Sequence, residues 1–171
     1  MFELSVTRPH DAADIEDLLD SAFGANRKSK TSYRYRDGVD PIGDLAFVAR
    51  APEGLLGSIA YYPILIGDSP SLLLGPLAVA PNLQGRGIGA SLMHHSMAAA
   101  GRYGYRTVAL VGDPNYYSRF GFLPGSDHGV WMADEVQKKV QVRALAECAL
   151  DSIGGEIRHW GAVRRASRAA A

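Results

Sequence analysis

The sequence has little of several features that define a function class. One cysteine, Cys148, occurs in 171 residues, so no disulfide forms within the chain. Lys plus Arg and Asp plus Glu both number 18, which leaves no net charge to attract nucleic acid or an anionic membrane. The longest apolar stretch, residues 55–66, is interrupted by Gly57 and Ser58 and is shorter than the ~20 residues that span a bilayer. These observations argue against a disulfide scaffold, a nucleic-acid-binding protein and a membrane protein.

Signals for export and for metal binding are also absent from the sequence. The first residues, MFELSVTRPH, lack a basic segment followed by an apolar one, and with the single cysteine this predicts a cytoplasmic protein. Adjacent His94 and His95 have no acid or third ligand spaced to complete a zinc site, so we expect no metal. The 47% hydrophobic content is that of a globular protein, and the length predicts a single domain over residues 1–171.

The first half of the chain predicts one helix among several strands. These elements are a strand at 2–7, a helix at 11–23 that ends at Gly24, and three strands at 44–51, 55–66 and 71–79. Because tight turns join the three strands, we expect an antiparallel meander. Pro63 cannot donate a ladder hydrogen bond, which predicts a bulge or an edge position in the second strand.

The third strand of this meander contains an unusual pair, Gly75 and Pro76. Pro76 has no N–H and Gly75 has no side chain, so the ladder should be disturbed by a bulge or should splay from the neighbouring strand. Backbone groups of residues 77–79 would then be free to bond something else. A kink with a purely structural role is the alternative.

A glycine-rich stretch follows this strand. Three glycines alternate in QGRGIGA, residues 84–90, ahead of a helix predicted for residues 87–103 with its inner face at 88, 92, 96, 99 and 103. Unpaired N–H groups at a helix N-terminus bind phosphate, and the Arg86 guanidinium suits phosphate oxygens. The stretch therefore predicts a ligand that carries phosphate.

Two familiar phosphate motifs fit this stretch poorly. It has no Lys and Ser/Thr at the positions that a P-loop requires. Gly85, Gly87 and Ala90 satisfy the dinucleotide pattern G-x-G-x-x-A, but that motif directly follows its strand and opens a series of βαβ units. Here several residues separate Val79 from Gly85, and an antiparallel meander comes first.

The second half of the chain begins with a clear pattern that then weakens. TVALV at 107–111 predicts a buried strand parallel to the strand at 71–79. In GDPNYYSRFGF, Asp113 is placed as the N-cap of a short helix and Gly121 as its stop. Beyond Pro124 the candidate strands are 130–132, 139–145 and 156–160, while 145–153 also suits a helix and RRASRAAA suggests a frayed tail.

Two segments resemble the motifs of the GCN5-related N-acetyltransferase (GNAT) superfamily. LGPLAVAPNLQGRGIGASLM resembles its acetyl-CoA signature, [QR]-x-x-G-x-[GA], and YYSRFGF resembles its second motif, Y-x-x-x-G-F. The matching residues are Gln84, Gly87 and Gly89 in the first motif and Tyr117, Gly121 and Phe122 in the second. The sequences LLLGPLAV and GDPNYYSRFGF are most similar to those of the YhbS-like branch of the superfamily. The resemblance covers about residues 4–124.

The resemblance implies the GNAT fold, which is α/β (α+β) with a mixed central sheet, an antiparallel N-terminal meander, a splayed central strand and flanking helices. It also implies a cytoplasmic acyltransferase that moves an acetyl group from acetyl-CoA, its co-substrate, directly to an amine of a small molecule or peptide. The residues that it would place on acetyl-CoA are Leu77, Ala78, Val79, Gln84, Gly85, Arg86, Gly87, Ile88, Gly89, Ala90, Asn115 and Tyr117.

The resemblance makes Tyr117, whose ordinary pKa is near ~10, the proton donor to the leaving thiolate. The N–H near Val79 is the candidate donor to the oxyanion. The strand at 72–79 has no Glu, Asp or His to act as general base, so water would relay the proton or an acid such as Asp44 or Glu53 would serve. The missing base leaves a second hypothesis, a non-catalytic acyl-CoA-binding sensor or regulatory module.

The acceptor is the less defined half of the expected site. Five basic residues and no acid lie between Arg27 and Arg36, which fits a solvated loop or a lip over a site for an anionic ligand or acidic acceptor. We expect the acceptor pocket to be built from residues 24–44, the strand around Tyr61 and Tyr62, and the C-terminal third. The expected partners are acetyl-CoA and an amine, with neither nucleic acid nor a membrane, and a homodimer is compatible with the sequence.

Overall fold

The computed structural model describes residues 1–161, which fold around a nine-stranded sheet. Its main path has the order β1-β2-β3-β4-β5-β8-β6, while β9 pairs with β3 and β7. The strands are β1 Glu3–Val6, β2 Phe47–Ala51, β3 Gly54–Ile66, β4 Ser69–Val79, β5 Thr107–Val111, β6 Leu123–Pro124, β7 Val130–Trp131, β8 Val140–Ala144 and β9 Gly155–His159. The helices are α1 Ala12–Phe23, α2 Ile88–Arg102 and α3 Pro114–Tyr117, and short 3-10 turns lie between these elements.

β2, β3 and β4 form the antiparallel meander that the sequence predicts, and β1 pairs antiparallel with β2 at its edge. β5 then lies parallel to β4, and α2 is the crossover helix that parallel neighbours require. β8 returns antiparallel to β5. The sheet is therefore mixed, with helices packed against it, as the GNAT resemblance implies.

The buried face of α2 supplies much of the main core. One residue predicted to lie on this face, Tyr103, is 60% exposed because it follows the end of the helix, so that prediction is wrong. The other four are buried, namely Ile88, Leu92, Ser96 and Ala99. On α1, Leu18 and Leu19 pack against Ala78 of β4, while Phe23 at the helix end is 40% exposed.

Pro63 lies opposite Leu72 without a register shift, so the bulge that it predicts is not at this residue. On the other edge of β3, pairing with β2 ends at Ile59 and pairing with β9 begins at Ile64. Pro63 therefore lies in the gap between two partner strands. This is the edge position that was the alternative prediction.

The C-terminal part contains the three predicted strands: β7 and β8 are slightly shorter than predicted, and β9 is shifted by one residue. Residues 145–153 form bends and turns, so the helical alternative for this segment is wrong. The tail RRASRAAA lies outside the described residues. Of the helices within residues 1–161, none combines the length and apolarity needed to cross a membrane.

Candidate functional site

The Gly75–Pro76 pair forms a bulge in β4. Leu74 faces Tyr61 and Leu77 faces Ile59, so two residues of β4 lie opposite one residue of β3. The peptide bond within the pair is cis, and the φ of its glycine is 123°. A bulge bends its strand and changes the direction of the residues that follow. The predicted disturbance of the ladder is confirmed.

β4 also separates from β5 at this point. Their parallel pairing comprises Leu72 with Val108 and Leu73 with Ala109, and it stops there. Along residues 74–79, the backbone groups on this edge of β4 have no partner in β5. The two strands thus diverge around a wedge-shaped opening, which is the splay expected from the sequence.

A cavity of about 860 Å³ occupies this opening. Residues 74–77 of β4 form one wall, and residues 110–115 with Tyr117 form the facing wall. The remaining lining residues come from the end of α1, the segment after it and the loop before β8, and they are Phe23, Lys30, Thr31, Ser32, Tyr33, Arg36, Glu135, Lys138 and Lys139. Of the residues expected on acetyl-CoA, the cavity thus brings together Leu77, Asn115 and Tyr117.

The short helix α3 sets the position of Tyr117. The Asp113 carboxylate accepts the Asn115 N–H at 2.9 Å, which caps the helix as predicted. The Tyr117 ring packs edge-on against Tyr116 and Phe122, with centroids 4.9 and 6.0 Å away. These contacts fix the ring, so its hydroxyl has a defined place beside the cavity.

Because Gly112 has no side chain, the Tyr117 ring can occupy the space next to it. A Cβ atom at Gly112 would lie 2.3 Å from Cε2 of the Tyr117 ring, which no side chain tolerates without a shift. Burial, with a smaller effect of Tyr116, raises the pKa of Tyr117 to about 12. The phenol therefore keeps its proton at neutral pH and can donate it.

The glycine loop opens α2 and is exposed to solvent. Gly87 is the N-cap residue with a φ of 83°, a left-handed conformation that residues with a side chain rarely adopt. The first amide that bonds back into the helix is that of Ser91, to the Gly87 carbonyl at 2.9 Å. Amides before Ser91 in the first turn have no intrahelical partner and can bind an anion.

The loop lies next to β4 and α3. A Cβ atom at Gly89 would lie 3.1 Å from the Tyr116 hydroxyl and 3.5 Å from Cγ2 of Val79. The start of α2, the end of β4 and the helix that carries Tyr117 therefore converge. Residues of both sequence motifs come together here although about thirty positions separate them in the chain.

The acids suggested as general base are not at the cavity. Asp44 and Glu53 are absent from its lining, which contains two carboxylates among the described residues. One of them, Asp113, caps α3. The other is Glu135, whose Oε1 accepts the Val136 N–H at 2.9 Å. Glu135 lies in the weakly patterned C-terminal part, and nothing in the sequence distinguishes it.

The adjacent histidines play packing roles. His94 and His95 are exposed on α2 and contact Phe120 and Phe47 edge-on, with ring centroids 5.3 and 4.8 Å apart. Within residues 1–161, no group of three or more His, Cys, Asp or Glu side chains could hold a metal ion.

The basic segment, defined as residues 27–36, divides between the protein interior and the cavity. Arg27 is 2% exposed, and its guanidinium donates to the carboxylates of Glu16 and Asp20 at 2.6 and 2.7 Å. Lys30 and Arg36, in contrast, line the cavity. The positions of these two residues are compatible with a lip over a binding site, whose ligand stays a prediction, while a solvated loop does not describe Arg27.

The tyrosines expected in the acceptor pocket, Tyr61 and Tyr62, do not line the cavity. Tyr61 is fully buried, and its hydroxyl lies 2.9 Å from that of Ser96. Tyr62 does not line the cavity either, but its ring lies 5.5 Å from the Arg36 guanidinium. Of the segments predicted for the acceptor pocket, residues 24–44 and the C-terminal third do contribute to the cavity lining, through residues 30–36 and the loop before β8.

Comparisons with known proteins give a consistent result. A family model described as "Acetyltransferase (GNAT) domain" matches residues 43–124. The chain is 30% identical over 162 residues to YhbS, an uncharacterized N-acetyltransferase of Escherichia coli K12, and the match covers 91% of this chain and 95% of the relative.

Solved structures agree with the sequence comparison. The crystal structure of the GNAT family N-acetyltransferase YhbS from Escherichia coli in complex with CoA matches with a TM-score of 0.82 at 28% identity, over 96% of this chain and 92% of that chain. A GNAT family acetyltransferase from Brucella melitensis in complex with acetyl-CoA matches with a TM-score of 0.69 at 28% identity, over 95% and 98% of the two chains.

Proposed function

The chain belongs to the GNAT family of N-acetyltransferases, and from this we propose that it transfers an acetyl group from acetyl-CoA directly to an amine. The observation that carries the proposal is the separation of β4 from β5 beyond Leu73. It opens a cavity between residues 74–77 of β4 and Tyr117, where a thioester can lie against free backbone groups. The two matched crystal structures, which hold CoA and acetyl-CoA, support this choice of co-substrate.

We assign the pyrophosphate of acetyl-CoA to the glycine loop and its pantetheine arm to the opening beside β4. The residues proposed to contact the co-substrate are Leu77, Ala78, Val79, Gln84, Gly85, Arg86, Gly87, Ile88, Gly89, Ala90, Asn115 and Tyr117. Amides without an intrahelical partner at the start of α2 support the first assignment, because the helix dipole adds to their attraction for phosphate. The unpaired edge of residues 74–79 supports the second.

The reaction follows from this placement. The amine nitrogen attacks the thioester carbonyl carbon, and the carbonyl oxygen gains negative charge, which the Val79 N–H is placed to stabilise. The carbon–sulfur bond then breaks, and the thiolate of CoA receives the Tyr117 phenolic proton. The nitrogen loses a proton to solvent, from which Tyr117 is protonated again. Its raised pKa keeps Tyr117 in the form that can donate.

The remaining parts of the proposal concern the whole chain. We propose that residues 1–171 act as one N-acetyltransferase domain in the cytoplasm. Its match to YhbS over 95% of that relative supports the single domain. The single cysteine supports a reducing compartment.

The direct test measures free thiol after the protein is incubated with acetyl-CoA and a panel of amines, amino acids and N-terminal peptides. We expect release with at least one acceptor, and we expect Tyr117→Phe to lower kcat at least tenfold with an acetyl-CoA Kd within about twofold of wild type. Tyr103→Phe is the matched control, because it removes a hydroxyl from a tyrosine that is 60% exposed.

Two outcomes would contradict the proposal. Normal acetyl-CoA binding with no thiol release for any acceptor would indicate an acyl-CoA sensor instead of an enzyme. Unchanged turnover in Tyr117→Phe would remove Tyr117 from the role of proton donor and leave the rest of the site intact.

A further inference from the structure

Arg36 places a positive charge in the cavity beside the bulge of β4. Its Nη2 lies 3.0 Å from the position that a Cβ atom of Gly75 would take, and both residues line the cavity. Its Nε is buried and has no hydrogen-bond partner in the part of the chain that the structure describes. Gly75, which has no side chain, thus leaves room for this guanidinium next to the opened strand.

The other guanidinium and ammonium groups near Arg36 show how unusual it is. Arg27, Lys28 and Arg34 each form an ion pair, at 2.6, 3.0 and 2.9 Å, while Lys30 is exposed to solvent and lies 5.0 Å from the centroid of the Phe23 ring. Arg36 forms none with any acid in residues 1–161. The side chain is partly buried with its Nε fully so, and this burial lowers the pKa of the guanidinium. Buried charges in proteins are normally paired, so a ligand is the natural source of the missing partner.

The orientation of Arg36 is fixed without a ligand. Its guanidinium lies 4.6 Å from the centroid of the Tyr33 ring and 5.5 Å from that of Tyr62. Tyr33 is held in turn, because its hydroxyl accepts a hydrogen bond from Nη1 of Arg27 at 3.1 Å. Stacked aromatic faces leave the edge of a guanidinium, where its N–H groups point, available for an anion.

The rest of the cavity wall adds to this positive field. Among the described residues, the charged side chains that line it are four basic and two acidic, namely Lys30, Arg36, Lys138 and Lys139 against Asp113 and Glu135. One of the acids is already used as the cap of α3. A negatively charged acceptor is therefore favoured over a polyamine, which this wall would repel.

We propose that Arg36 binds a carboxylate of the acceptor, so that the substrate is an amino acid or a small molecule of amino-acid type. The inference rests on the proposed function. The thioester carbonyl is assigned to the Val79 N–H, and Gly75 and Val79 are four residues apart, which in a regular strand is about 13 Å, so several bonds separate the carboxylate from the acetylated amine. A planar guanidinium pairs with a carboxylate through two parallel hydrogen bonds, which also fixes the direction of the amine.

The phosphates of acetyl-CoA do not need this residue. They are assigned to the loop at the start of α2, which contacts Val79, whereas Arg36 contacts Gly75 on the other side of Leu77. A change at Arg36 should therefore affect the acceptor and leave the co-substrate alone, and this separation makes the proposal testable.

The experiment titrates the full chain, with CoA bound to prevent turnover, with each common amino acid and with the carboxamide of each. Binding is followed by calorimetry and by the NMR signal of the Arg36 Nε–H. We expect at least one amino acid to bind and its carboxamide to bind at least tenfold more weakly. Arg36→Gln should abolish the difference between acid and amide, and Arg36→Lys should retain part of it.

Lys28→Gln is the matched control, because it removes one positive charge from the same segment at a side chain that is 67% exposed and paired with Glu16. It should leave the acid–amide difference unchanged. Binding of no amino acid in the panel, equal binding of acid and amide, or an unchanged difference in Arg36→Gln would each overturn the proposal.

Acetyl-CoA is titrated in parallel to separate this inference from the function on which it rests. If wild-type protein binds acetyl-CoA and shows no preference for acids, the inference alone fails. If wild-type protein does not bind acetyl-CoA, the proposed function fails as well. The comparison of acid with amide needs no variant, so a folding defect in Arg36→Gln cannot obscure the result.

Discussion

The two halves of the proposed site are built from different parts of the polypeptide. The cofactor half, which comprises the loop at 84–90, residues 74–79 of β4 and α3, presents mainly backbone amides and one phenol. The acceptor half, which comprises residues 30–36 and 133–139, presents charged side chains that are joined across the chain. Arg34, for example, pairs with Asp134 a hundred positions away.

This difference explains what each half can recognise. Backbone amides at the start of a helix bind phosphate whatever the neighbouring side chains are, so the same loop suits any reaction of acetyl-CoA. Side chains such as Arg36 select by charge and shape, and they change without altering the sheet. Variants of the cofactor half should therefore abolish co-substrate binding or chemistry, whereas variants of the acceptor half should change selectivity.

The largest effect is expected for Gly87→Glu in the cofactor half. We expect the acetyl-CoA Kd to rise at least a hundredfold, because a side chain is strained at a φ of 83° and its carboxylate would repel the pyrophosphate. Calorimetry measures the loss. Gly104→Glu is the matched control, since Gly104 has a φ of 84° and the same open surroundings near the other end of α2. Equal losses in both variants would mean that strain alone, and not the position of Gly87, weakens binding.

Much of the cofactor half could be predicted from the sequence. Gly75 and Pro76 cannot maintain a regular ladder, Asp113 before Pro114 marks a helix start, and alternating glycines mark an exposed turn. These signals depend on local backbone chemistry, which neighbouring residues determine. The structure confirms the resulting bulge, splay and capped helix.

The acceptor half could not be predicted to the same extent. Arg27 and Arg36 are alike in sequence, yet one bonds to two carboxylates of α1 and the other faces the cavity. Glu135 reaches the cavity because its loop docks on residues 31–34. Such roles depend on contacts between distant segments, which residue spacing does not encode.

The next largest effect is expected for Gly112→Ala. The added Cβ atom would lie 2.3 Å from the Tyr117 ring, so the ring must move. Its hydroxyl would then lie too far from the thiolate of CoA to donate a proton to it. We expect kcat to fall at least tenfold with little change in the acetyl-CoA Kd. In a Tyr117→Phe background the same substitution should lower kcat by less than about threefold, because effects on one shared group do not add. If the substitution lowers kcat by the full tenfold in that background as well, Gly112 acts on something other than Tyr117. Thermal melting checks that each variant folds.

A smaller effect is expected for Arg34→Gln in the acceptor half. This change removes the 2.9 Å bond from Nη1 to the Asp134 carboxylate, which joins the two parts of the acceptor half. Both side chains are largely exposed, so the pair contributes roughly 0–1 kcal/mol. We expect the acceptor KM to rise up to about fivefold, with kcat and acetyl-CoA affinity nearly unchanged. Asp134 has a φ of 57°, which Asn tolerates, so Asp134→Asn is a suitable partner variant, and the double variant should be no worse than either single one.

The smallest effect is expected when kcat is measured against pH for wild type and for Tyr117→Phe. Burial raises the pKa of this phenol to about 12, so the folded enzyme holds the proton more tightly than the unfolded chain, whose pKa is near ~10. The neutral phenol is thus fully retained below pH ~10 and is lost only as pH rises through about 12. The ratio of kcat in wild type to kcat in Tyr117→Phe should therefore stay constant within about twofold from pH 7 to pH ~10, while both rates rise as the acceptor ammonium loses its proton. A ratio that falls with a midpoint near pH ~8 would mean that Tyr117 itself loses its proton near that pH, and a ratio near one at every pH would mean that another group donates the proton.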